Sequence, residues 1–244
     1  MKRIMVLRPG TAFLSALSAL LALSAHAWAQ EPPPLLYGLQ FEELEYRLGS
    51  GSDQLAWNAD GFVGSDTWKL RWQSEAEYAL DPDSFERLEN QVVVQRMATD
   101  FFDIKAGARI DTPEGHNRAY GVVGLHGLAP QWFEVDADAF LSEKGDASAR
   151  LDLEYEFLIT NRVILTPSAE INVAFSDDAD MRVGSGLSTI ELGARLSYDL
   201  IDRTVAPYIG VAYERSFART ADFRRADGED TDEVFLVLGV GLLF

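Results

Sequence analysis

From residue 39 onward, apolar side chains recur at every second position in one short run after another. The cleanest run is 68–78. Trp68, Leu70, Trp72, Ser74, Ala76 and Tyr78 share one face there, and Lys69, Arg71, Gln73, Glu75 and Glu77 share the other. A period of two is the signature of a β-strand, not of a helix. The same alternation holds over 102–110, 133–141, 149–157, 163–175 and 188–198. The final run, 234–244, sets Val234, Leu236, Leu238, Val240, Leu242 and Phe244 on one face and places Gly239 and Gly241 on the other. Less regular runs at 39–48, 55–63, 86–96, 120–128 and 205–215 bring the expected strands to twelve. No segment carries a convincing helical period.

The links between these runs alternate in length. Short ones fall at 64–67, 98–100, 129–131, 159–162 and 201–204; longer, more polar ones fall mostly between them, at 111–118, 142–147, 176–186 and 216–233. Short periplasmic turns alternating with long outer loops mark an outer-membrane barrel. A soluble sandwich has no reason to show that alternation. A Lys or Arg facing lipid at the midplane costs about 2–4 kcal/mol, so the charged faces line the lumen. The expected fold is therefore all-β: a transmembrane, antiparallel, up-and-down barrel of about twelve strands of the outer-membrane type, ending on an aromatic residue.

The N-terminus changes the picture by supplying an address. Lys2, Arg3 and Arg8 precede an apolar stretch at 13–25, and Ala27-Trp28-Ala29 offers small residues for cleavage. Residues 1–29 read as a secretory signal peptide, 30–36 (Q-E-P-P-P-L-L) as a Pro-rich periplasmic linker, and 37–244 as the barrel. After the signal peptide no stretch has the roughly 18 apolar residues of a membrane-spanning helix. There is no cysteine, which excludes disulfides, thiolate metal sites and a Cys nucleophile.

The formal charge is −18, and the expected signal peptide contributes only basic residues to it. Such acidity argues against a nucleic-acid partner and fits one that attracts metal cations. Carboxylates dominate the expected lumen face, and strands 133–141 and 149–157 carry more acids than nearby bases. Glu134, Asp136, Asp138 and Glu154, with Asp152 and Glu156, form the candidate cation site. Salt bridging across a narrow lumen is the competing role for each of them. The candidate transition-metal ligands are His126 near a strand end, His116 in an outer loop, Met97 and Met181, with no two spaced as a chelate. Hard-oxygen groups suit Ca²⁺ or Mg²⁺ better than copper. No G-x-S-x-G, H-E-x-x-H or P-loop motif occurs, so no enzyme is expected. A lipid-acting barrel enzyme would have to use His126 as its base. The 216–233 link, basic and aromatic in one half and acidic in the other, could constrict the mouth or bind a partner.

The stretch H-G-L-A-P-Q-W-F-E-V-D-A-D-A-F (126–140) resembles the copper resistance protein B family. So do L-D-L-E-Y-E-F-L-I-T-N-R-V-I-L-T-P (151–167), G-S-G-L-S (184–188), A-P-Y-I-G-V (206–211) and T-A-D-F-R-R-A-D-G-E-D (220–230). The likeness starts near Trp57 and runs to Phe244. It implies a bacterial outer-membrane protein of copper homeostasis that binds copper ions or assists their export, beside a periplasmic multicopper oxidase. The family often carries a Met- and His-rich segment before the barrel. Residues 30–37 contain neither residue, so no copper ligands are carried over from the resemblance. Against this stand a narrow cation-preferring pore or structural barrel without copper specificity, and the lipid-acting enzyme.

Overall fold

The computed structural model describes residues 34–201 and 203–244. The expected signal peptide and linker residues 30–33 lie outside them. Hairpin-linked strands must close on themselves edge to edge if the backbone is to be satisfied in lipid, and they do. In order the strands are β1 (Leu36–Leu48), β2 (Gln54–Gly64), β3 (Trp68–Ala79), β4 (Ser84–Met97), β5 (Phe102–Asp111), β6 (Arg118–Ala129), β7 (Phe133–Ser142), β8 (Ala147–Glu154), β9 (Phe157–Leu158), β10 (Val163–Ala174), β11 (Gly186–Tyr198), β12 (Val205–Ser216) and β13 (Asp232–Leu243). Sequence neighbours pair antiparallel, save that β8 and β9 both pair with β10, and β13 pairs back onto β1 from Gln40 opposite Leu243 to Leu48 opposite Leu236. The sheet is thus closed.

β8 and β9 form one crossing, so the barrel has twelve. Their register against β10 is continuous. The interruption has a chemical cause: Tyr155 N–H donates to the Pro167 carbonyl (3.2 Å), but proline has no N–H to return. Glu156, expected among the lumen acids, sits half-exposed at the rim and pairs with Arg203 of the 199–204 turn (3.3 Å).

Polarity is inverted relative to a soluble protein. Val234, Leu236 and Leu238 are 60%, 53% and 47% exposed, whereas Lys105 and Arg47 are 3% and 4% exposed. Apolar side chains face the lipid, and charges fill the interior. Exposed aromatics (Trp68, Trp132, Phe133, Phe157, Tyr198 and Phe244) lie beside the short turns, as an interfacial girdle does. Among the described residues, the interior holds two small apolar clusters. Val93, Val122 and Phe140 form one; Tyr208, Ala212, Phe235 and Val237 form the other.

Two irregular strands owe their weaker alternation to β-bulges. In β1, Phe41 lies opposite Ala59 and Glu43 opposite Asn58, leaving Glu42 as the extra residue. In β4, Arg87 lies opposite Glu77 and Phe85 opposite Tyr78, leaving Glu86 extra. A bulge shifts the phase of the pleat, so two successive residues turn the same way. The expectation of no helix fails in the longest link. There α1 (Ala218–Asp227) ends on Gly228 at φ 83°, whose N–H bonds the Arg224 and Arg225 carbonyls. Glycine adopts that left-handed geometry without a Cβ penalty.

Candidate cation site in the lumen

Midway along the barrel, charged side chains from opposite walls meet. Glu75 of β3 accepts from Arg87 Nη2 (2.9 Å) and Arg150 Nη1 (3.1 Å). Glu89 of β4 accepts from Arg87 Nε (3.1 Å) and Arg150 Nη2 (2.9 Å). Glu170 of β10 lies 3.2 Å from Arg87 and 3.7 Å from Arg150. Three carboxylates therefore bridge two guanidiniums across the lumen, and Arg109 adds a contact to Glu89 (3.2 Å). A second network joins β1 to β11. Arg195 contacts Glu43 (2.7 Å) and Glu45 (2.5 Å), and Arg47 contacts Glu45 (2.9 Å) and Glu191 (3.3 Å). This layer divides the interior into an inner and an outer cavity, with Glu89, Arg109, Arg150, Glu170 and Glu191 lining both.

The inner cavity opens toward the short turns. Its wall holds two carboxylate pairs placed directly across β7 and β8: Glu134 opposite Glu154, and Asp136 opposite Asp152. Asp152 also faces Glu170 on β10. Like charges directly opposite each other destabilise a sheet. Some are neutralised: Asp136 is held by Lys105 and lies 3.6 Å from Arg71, and Asp138 is 2.9 Å from Lys105. Glu42, Asp152 and Glu154 also line the cavity, and among the described residues they have no Lys or Arg at ion-pairing distance. Glu134 has only His126, at 3.9 Å. His126 Nδ1 lies 3.3 Å from Asp136 Oδ2, in the register position opposite Asp136. That imidazole faces the lumen, not the lipid where a lipid-acting enzyme would need it.

The sequence candidates thus separate. Glu134, Asp136, Glu154 and His126 come together in the inner cavity, with Asp138 beside them but engaged by Lys105. Met181 lines the outer cavity. His116 lies in the exposed 112–117 loop, within electrostatic reach of Asp180. Among the described residues, no three His, Asp or Glu groups already converge as a preformed metal site. The bulged strands supply what the sequence reading missed: Glu42, Glu43, Glu45, Arg47, Arg87 and Glu89. Their signal was present as E-E-L-E-Y-R (42–47) and E-R-L-E-N-Q (86–91), but a shifted pleat hides it from a strict period of two.

Outside the membrane, the outer loops are tied by charge. Arg118, 1% exposed, bonds Asp178 (2.6 Å) and lies 3.5 Å from Glu143 and 3.6 Å from Asp180. Hydrogen bonds from Ser185 hold the Asp177 carboxyl below the usual range. A hydrogen bond from Lys144, and then its charge, do the same for Asp180.

A closed antiparallel barrel with an apolar exterior, an aromatic rim and a charged lumen is an outer-membrane protein. In fold it is similar to the NanC porin (TM-score 0.52, 15% identity, covering 85% of this chain and 99% of that one). The chain belongs to the copper resistance protein B family: the family described as copper resistance protein B precursor (CopB) matches residues 35–244. It is 36% identical over 203 residues to the copper resistance protein B homolog of Pseudomonas syringae pv. tomato, covering 83% of this chain and 68% of that one. It is 34% identical over 208 residues to the copper resistance protein B of Escherichia coli, covering 85% and 69% respectively. Membership gives the barrel a role in copper resistance at the outer membrane.

Proposed function

We propose that this barrel serves copper resistance by holding copper ions as cargo at the periplasmic end of its lumen and assisting their export, without catalysis. The observation that carries the reading is the set of carboxylates opposed across β7 and β8, with Glu154, Asp152 and Glu42 having, among the described residues, no Lys or Arg at ion-pairing distance, and His126 beside them. Opposed carboxylates gain most from a cation between them, and an imidazole with carboxylate oxygens is a donor set that Cu(II) accepts. Glu134, Asp136, Glu154 and His126 are the proposed ligands, drawn together by the ion. Asp138 supports them through Lys105. Met181 and His116 lie on the outward path. A periplasmic multicopper oxidase is the proposed partner, with residues 1–29 as the export signal and 30–36 as the linker to the barrel.

The test is metal titration of the refolded barrel with Cu(I) and Cu(II), using Zn²⁺ and Ca²⁺ as controls. Selective copper binding is expected, weakened about tenfold or more, roughly 1.4 kcal/mol, in the combined H126A/E134Q/E154Q variant. Equal affinity for Ca²⁺ and copper, or no change in the variant, would overturn the assignment. The acid excess also favours a second reading, a narrow cation-preferring pore. Gene deletion separates the two: loss of copper tolerance supports the first, and unchanged tolerance with altered small-solute leakage supports the second.

A further inference from the structure

We propose that α1 is a lid over the outer cavity and that Arg224 is its latch. The helix does not project from the barrel as a solvated loop would. Ala221 and Thr220 are 2% and 5% exposed, and Thr220 and Arg224 line the outer cavity. The Thr220 hydroxyl accepts the Gly184 N–H (2.9 Å). Gly184 has no room for a side chain, because a Cβ there would stand 2.4 Å from Arg219 Cβ. Arg219 meets Asp177 (3.3 Å), and Arg182 pairs with Asp227. These contacts join the helix to the 175–185 loop, so the two form one cover.

Arg224 fastens that cover to the barrel wall. Its Nη2 donates to Glu214 of β12 (2.6 Å). It also interacts electrostatically with Glu229 of its own link and with Glu77 of β3 and Glu86 of β4. One guanidinium carried by the lid is thus seated among carboxylates of three strands. The bulge in β4 turns Glu86 and Arg87 successively inward, bringing Glu86 into the cavity wall. A partly exposed ion pair is weak and screened by salt, which suits a latch that must release. Both ends of the helix are in left-handed backbone, Ala218 at φ 45° and Gly228 at φ 83°. For alanine that conformation is disfavoured, so the backbone is strained at Ala218, where the helix begins.

The cysteine-free chain allows a direct test. Ser148 lines the outer cavity and Ser168 the inner one. Cysteine is placed at Ser148 in the full mature chain, and its modification by a bulky charged maleimide is timed in vesicles. The rate should rise about fivefold in Arg224→Gln, the factor lost with one such ion pair. It should stay low in Arg224→Lys and be highest when 218–227 is replaced by a Gly-Ser linker. Cysteine at Ser168, read in the same backgrounds, should react at an unchanged rate, and heat-modifiable gel mobility verifies that each variant is folded. Equal Ser148→Cys rates in all folded variants would overturn the lid. Acceleration in Arg224→Lys equal to that in Arg224→Gln would overturn the charge latch.

Discussion

Gly239 shows how much one position can matter in a barrel without a conventional core. An added Cβ would lie 2.5 Å from the Tyr208 ring, and the Tyr208 hydroxyl donates to Glu45 (3.0 Å), the carboxylate shared by Arg47 and Arg195. Gly239→Ala therefore displaces a ring and, through it, a three-charge network. Overpacking of this kind costs about 1–3 kcal/mol. Urea unfolding of the refolded barrel in vesicles should show that loss, and an unchanged midpoint would mean that the ring moves freely. The alternating glycines of the final strand were visible in the sequence. Their partner was not, because Tyr208 belongs to a strand whose pattern gives no distance.

Among the elements, the outer loop 175–185 depends on carboxylates that are charged at neutral pH. Asp177 and Asp180 have folded-state pKa values depressed below the ordinary 3.8. A depressed carboxylate contributes stability that is fully present above its unfolded value and lost as pH falls through the folded one. The bridge between Asp178 and Val183 (2.8 and 3.0 Å) should thus keep its hydrogen-exchange protection at pH 6 and lose it below about pH 3.8, while the β-strands stay protected. Protection unchanged down to pH 2 would show that these ion pairs do not order the loop. The strands with the cleanest alternation were legible nearly to their ends. β1 and β4 were not, because their bulges at Glu42 and Glu86 break the two-residue period while adding charge to the lumen. The helix α1 escaped for another reason. It has no apolar stripe of its own and is held by contacts from Gly184, Asp177 and Glu214, which lie 10 to 42 residues in sequence from the residues they touch.

At the scale of the whole molecule, the Arg87 and Arg150 layer makes the lumen two compartments in place of one channel. Little ion current is expected through the native barrel in a planar bilayer. Replacing both arginines by glutamine removes two positive charges and leaves Glu75, Glu89 and Glu170 facing one another, which favours cations. The variant should conduct with cation preference. Adding E134Q, D136N and D138N should then reduce that preference, because these acids line the inner approach. A native barrel that already conducts freely would contradict the closed layer.

The inside-out alternation, the twelve crossings, the alternation of short and long links and the acidic inner wall were all determined by the sequence. Each follows from one local rule: in lipid, successive side chains of a strand face opposite solvents. The tertiary structure decided which charges meet. Glu75, Arg87, Arg150 and Glu170 span 95 residues and four strands, so their contact depends on barrel closure and register, which no strand carries alone. The same closure separates His126 from Met181 and His116. It also seats Arg224 among Glu214, Glu77 and Glu86, since a ring of strands brings distant segments to a common mouth.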